Sequence, residues 1–145
     1  MRELARLLTL SGADQRLLLR AYALLWFFRL GLWVVPIVRL RKLVHTKPAT
    51  GWSHPPERLA WSVRTAARCV PKATCLTQAM ALQRLLAQAG GTSQLEIGVA
   101  KEGAQFEAHA WVTSAGRVLI GGGDVRRYTT IAVWEGGGQQ VGPND

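Results

Sequence analysis

Three side chains in this sequence have types and settings that could do covalent chemistry together: Cys75, His109 and Asp124. Cys75 follows Thr74, a residue that caps helices, so it falls in the first turn of a predicted helix. There the macrodipole and the unpaired backbone N–H groups stabilise an anion, the setting of a nucleophilic thiolate. The competing role for such a cysteine is that of a small buried hydrophobe. His109 alternates with apolar neighbours in Phe106–Val112, which turns it away from the apolar side of its strand. It could take a thiol proton and later give it to a leaving amine. Asp124 is the only acid between His109 and Trp134, and it could orient the imidazole. It also follows three glycines, Gly121–Gly123, which suits a plain turn residue equally well. Cys69 has no helix-start position and reads as a packing residue at the end of the preceding helix.

These residues need elements to hold them. Residues 1–45 read as helical, with Ser11 and Asp14 at an N-terminus and Leu17, Leu18, Ala21, Leu24, Leu25, Phe28 and Leu32 at helical spacing. Gly31 and Pro36 weaken the far end, and a shorter helix is expected over 37–45. Residues 46–56 are dense in Pro, Gly, Ser and Thr and read as a linker. Pro56 suits the first turn of the next helix, whose apolar stripe is Leu59, Val63, Ala66, Ala67 and Val70 and which Pro71 stops. Leu76, Ala79, Met80, Leu82, Leu85 and Leu86 give the Cys75 helix an apolar face, and Gly90–Gly91 end it. The period then changes to alternation. Leu95, Ile97 and Val99 form one strand face and Phe106, Ala108, Ala110 and Val112 another. Arg117–Ile120 and Thr130–Trp134 follow. The predicted class is α+β, a helix packed on an antiparallel meander. The expected organisation is a helical arm (1–45), a linker (46–56), a core (57–135) and a tail (136–145).

Composition narrows the partners. With 145 residues, 48% of them hydrophobic, the chain can build one real core. The net charge is +9, and nine Lys/Arg against Glu3 and Asp14 place +7 of it in residues 1–50. A basic first third fits an acidic partner or a membrane surface, or simply a solvated face. No nucleic-acid-binding motif accompanies it, so no nucleic acid is expected. Tyr22–Leu40 resembles a membrane span in composition. Arg29 near its middle and Pro36 argue for a buried or partner-facing helix, with peripheral membrane contact as the minor alternative. The first residues lack the apolar stretch of a signal peptide, so a cytoplasmic setting with reduced thiols is expected. Two cysteines six residues apart form neither a zinc site nor a CxxC pair, and neither metal nor cofactor is expected.

The stretch CVPKATCLTQAMALQRLLAQAGGTSQLEIGVAKEGAQFEAHAWV resembles the core of the leader peptidases of lasso-peptide biosynthesis, in the transglutaminase-like superfamily. Pro71, Cys75–Leu76, the Ala/Leu-rich run to Gly90, Ile97–Val99, Phe106 and His109–Trp111 carry the likeness. RLLLRAYALLWFFRLGLWVVPIVRL is similar to the helical N-terminal part of such enzymes. The resemblance implies a papain/transglutaminase-like fold and a cysteine peptidase with Cys75 as nucleophile and His109 as base. Its substrate would be a ribosomal precursor peptide, from which it removes the leader. A separate leader-binding recognition protein and an ATP-dependent cyclase would be its partners. Many relatives carry an acid twelve residues after the His, where this chain has Gly121. The third role would then fall to Asp124, to Glu107, or to no residue, leaving a Cys–His dyad. The other readings are a transglutaminase-like acyl transferase and a non-catalytic binding subunit of the maturation complex.

Overall fold

In the computed structural model the described residues are 2–44, 54–71, 73–122 and 125–136. Five helices come first: α1 (Arg2–Leu8), α2 (Gly12–Val34), α3 (Ile37–Val44), α4 (Pro56–Ala67) and α5 (Cys75–Gln88). Four strands follow: β1 (Ser93–Glu102), β2 (Gln105–Ser114), β3 (Arg117–Ile120) and β4 (Thr129–Gly136), with a 3₁₀ turn at Val125–Arg127 before β4. The class is α+β, as expected.

The helix boundaries follow local chemistry. Ser11 accepts from the Asp14 amide (3.3 Å) and Thr74 from the Thr77 amide (3.2 Å), each satisfying a donor that a helix start leaves free. Pro56 opens α4, where its missing N–H costs nothing. Pro36 separates α2 from α3, and Gly31 lets them close: a Cβ at that position would lie 2.8 Å from a Leu40 methyl.

All strand pairs are antiparallel, in the order β3-β2-β1-β4. Three strands form the expected meander through tight turns at Gly103 and at Ala115–Gly116, which hold positive φ. The fourth departs from a meander by crossing to the far edge beside β1, a Greek-key order. Gln83 of α5 guides that return. Its buried side chain donates to the Trp134 carbonyl oxygen of β4 (2.9 Å).

One face of the sheet receives the helices. Leu82, Leu85 and Leu86 of α5 join Leu95, Ala110, Val112, Leu119 and Ile120 in one apolar cluster. The same cluster includes Leu17, Ala21, Leu25 and Phe28 of α2 and Leu59 and Val63 of α4, so the N-terminal helices share the core. Arg58 of α4 donates to Asp14 of α2 (2.9 Å), and Arg64 of α4 to the Leu119 carbonyl oxygen (2.8 Å). Strand β2 runs past this cover, so Phe106 and Ala108 are exposed rather than packed as the alternation predicted. The predicted linker lies largely within 45–53 and the tail within 137–145, both outside the described residues.

Candidate functional site

Cys75 begins α5, as its place after Thr74 predicts, and is half-buried against the apolar cluster beneath the sheet. That position is set by α5 as a whole, which must turn Ala79, Met80, Leu82 and Leu86 toward the core. Cys69 is exposed, not packed as expected. Helix α4 ends at Ala67, and Val70 takes the buried place beyond it.

His109 lies on the other face. In β2, Ala110 and Val112 enter the apolar cluster, and alternation turns His109 and Trp111 away from it. The register confirms the arrangement: His109 sits opposite Gly98 and Trp111 opposite Glu96, and the Trp111 indole donates to the Glu96 carboxylate. On this outer face a small aromatic layer has formed. The His109 ring stacks on Tyr128 (centroids 5.2 Å apart) and on Trp111 (6.1 Å). Gly98 makes room beneath it, because a Cβ there would lie 2.8 Å from both the Trp111 ring and Tyr128. Trp111 is buried although it lies outside the main core. Burial pushes the Tyr128 phenol above the ordinary tyrosine range, and its hydrogen bond to Glu107 adds to the shift.

The imidazole is held by backbone rather than by an acid. His109 Nε2 lies 2.8 Å from the Gly121 carbonyl oxygen. A carbonyl only accepts, so Nε2 carries the hydrogen and donates it. Gly121 stands twelve residues after His109, where the resemblance leads one to expect an acid. Here φ is +77°, and a Cβ would lie 2.5 Å from the Ala110 carbonyl oxygen and 2.8 Å from the Trp111 Cβ. No side chain fits, so the glycine is required and its carbonyl takes the contact. Glu107, the other candidate acid, forms an ion pair with Arg127. Asp124 lies outside the described residues.

The expectation of a cysteine peptidase is therefore corrected, and with it the assignment of the chain as a hydrolase. Cys75 packs on the helix-covered side and His109 on the outer side of the sheet, and no hydrogen bond joins them. Among the described residues no group of three or more His, Cys, Asp or Glu side chains gathers closely enough to share a metal ion. The type and spacing of Cys75 and His109 were legible in the sequence; their placement on opposite sides of one sheet was not.

A different feature was missed. Strand β4 forms one margin of the sheet, with β1 on its inner side and, among the described residues, no strand on its outer side. Ile131 is 62% exposed and Val133 41%. Their i, i+2 spacing, in a strand already predicted, was the available signal.

Neither the curated proteins nor the solved structures yield a match to this chain. The model of one family, described as the transglutaminase-like superfamily, matches residues 17–133, which runs from within α2 through α5 and the sheet to within β4. With most of its length matched, from the helix that backs the core to the strand that closes the sheet, the chain belongs to the transglutaminase-like superfamily.

Proposed function

We propose that this chain is a non-catalytic peptide-binding subunit in the maturation of a ribosomally made lasso peptide, holding an extended leader segment along β4. The observation that carries this reading is the margin of β4, beside which no strand lies among the described residues, although its Trp134 carbonyl is taken by Gln83. An edge strand presents a row of unpaired N–H and C=O groups, which a second chain in extended form can satisfy. Main-chain pairing would supply affinity, and Ile131 and Val133 would supply apolar contacts at alternate positions. Arg126, exposed just before the strand, and the net charge of +9 favour an acidic leader. The link to lasso-peptide maturation rests on the sequence resemblance around Cys75–Leu76 and His109–Trp111, within the superfamily match. An ATP-dependent cyclase, and a second leader-binding protein where one is present, would act on the same precursor in the cytoplasm.

Titration of a fluorescent lasso-precursor leader peptide tests the reading. Ile131→Lys with Val133→Lys keeps β4 but places two solvated charges on the edge. Binding should weaken roughly tenfold or more. Binding unchanged by the double substitution would remove β4 as the site.

A further inference from the structure

Helix α2 has two apolar faces on opposite sides. One buries Leu17, Ala21, Leu25 and Phe28 against α4 and α5. A helix advances 100° per residue, so residues 16, 20, 23, 27, 30 and 34 form a single stripe on the far side. The stripe begins with Arg16 and Arg20 and then becomes Ala23, Phe27, Leu30 and Val34, all of them exposed. Trp33 beside it is 77% exposed and Val34 82%, and Val38 of α3 (61%) extends the patch past Pro36. The helix is long and apolar enough to cross a membrane by length and composition, yet its inner face is committed to the core. A helix apolar all round needs cover on its second side as well.

Charge selects the kind of cover. No acid occurs in the sequence between Asp14 and Glu57. Arg39 and Lys42, both exposed, lie on α3 next to the apolar tip, and Arg16 stands at the other end of the stripe. Arg29 packs its guanidinium over Trp26 (5.4 Å) and Trp33 (5.5 Å), and its buried Nε has no hydrogen-bond partner among the described residues. Exposed aliphatics, tryptophans and cations with no acid among them are the composition that settles at the headgroup level of an anionic bilayer.

We propose that the outer face of α2 and the start of α3 dock this protein onto an anionic membrane surface. Leu30, Trp33, Val34 and Val38 enter the interface, while Arg16, Arg39 and Lys42 meet lipid phosphates. The helix lies on the membrane and does not cross it, because its inner face stays in the core. This face is separate from β4, and the inference does not depend on leader binding.

Co-sedimentation of the full chain with vesicles of phosphatidylcholine and phosphatidylglycerol, compared with phosphatidylcholine alone, provides the test. The chain should sediment with the anionic vesicles, release as salt rises, and show a blue-shifted tryptophan emission when bound. Leu30→Gln with Trp33→Gln and Val34→Gln should lower partition at least roughly tenfold, with an unchanged far-ultraviolet spectrum. Arg16→Gln with Arg39→Gln and Lys42→Gln should do likewise, and this variant keeps the test decisive if the apolar one misfolds. Failure to sediment with anionic vesicles at low salt would overturn the proposal. So would partition that neither variant lowers, or sedimentation velocity showing that the apolar patch instead joins two copies of the chain.

Discussion

The face of the sheet that meets α5 and the face that carries His109 come from the same alternating strands, yet they are filled by different means. On the inner face, aliphatic side chains of α2 to α5 share one cluster with Leu95, Ala110 and Val112, and burial follows directly from the apolar half of the alternation. On the outer face, His109, Trp111 and Glu96 from the other half of the alternation join Tyr128, which precedes β4, in a layer with two glycines in place of side chains. On the inner face each aliphatic side chain has many apolar partners. The outer face depends on a few close approaches of backbone to ring, where a single Cβ is too much.

That contrast can be broken at Gly121. Gly121→Ala forces a left-handed conformation on an L-residue and drives its Cβ into the Ala110 carbonyl. The expected loss is about 2–3 kcal/mol in denaturant unfolding, with loss of the near-ultraviolet signal from Trp111. Gly122→Ala is the control, because a Cβ there meets nothing within 4 Å, and its melt should match that of the parent. Equal effects from the two substitutions would mean that the outer layer is not closely built.

A smaller effect sharpens the inner side. The Arg58 guanidinium hydrogen-bonded to Asp14 holds that carboxyl below its ordinary range, and burial opposes the shift. A carboxyl whose native pKa is lowered adds stability that is fully present above its unfolded value of about 3.9. This contribution is lost as pH falls further, through the native value. Asp14→Asn should therefore be slightly less stable than the parent at neutral pH, and the gap should close below about pH 4 in thermal melts. A gap that persists in acid would assign the contribution to something other than the charge.

How much of this was legible follows from the same contrast. Ser11, Thr74, Pro56 and Pro36 act on their own neighbours, so the helix ends could be read one residue at a time. The alternation in Phe106–Val112 also gave the face of His109 correctly. What it could not give was the position of α5, because the side on which a helix packs is decided by the whole apolar surface it must bury. The crossing of β4 to the β1 edge was equally hidden, since it depends on partners such as Gln83 and Trp134, 51 residues apart. Gly121 shows the limit most clearly. In the sequence it marks a missing acid; in the fold it is the one residue that can lie against Ala110 and Trp111 while its carbonyl holds His109.

The most direct test asks whether Cys75 does chemistry at all. The precursor peptide would be matured with its cyclase and this chain, either as the parent or as Cys75→Ala, and the products compared by intact mass. If the chain only binds and presents the leader, both reactions give the same products in the same yield. Leader removal that occurs with the parent and disappears with a folded Cys75→Ala would contradict the account.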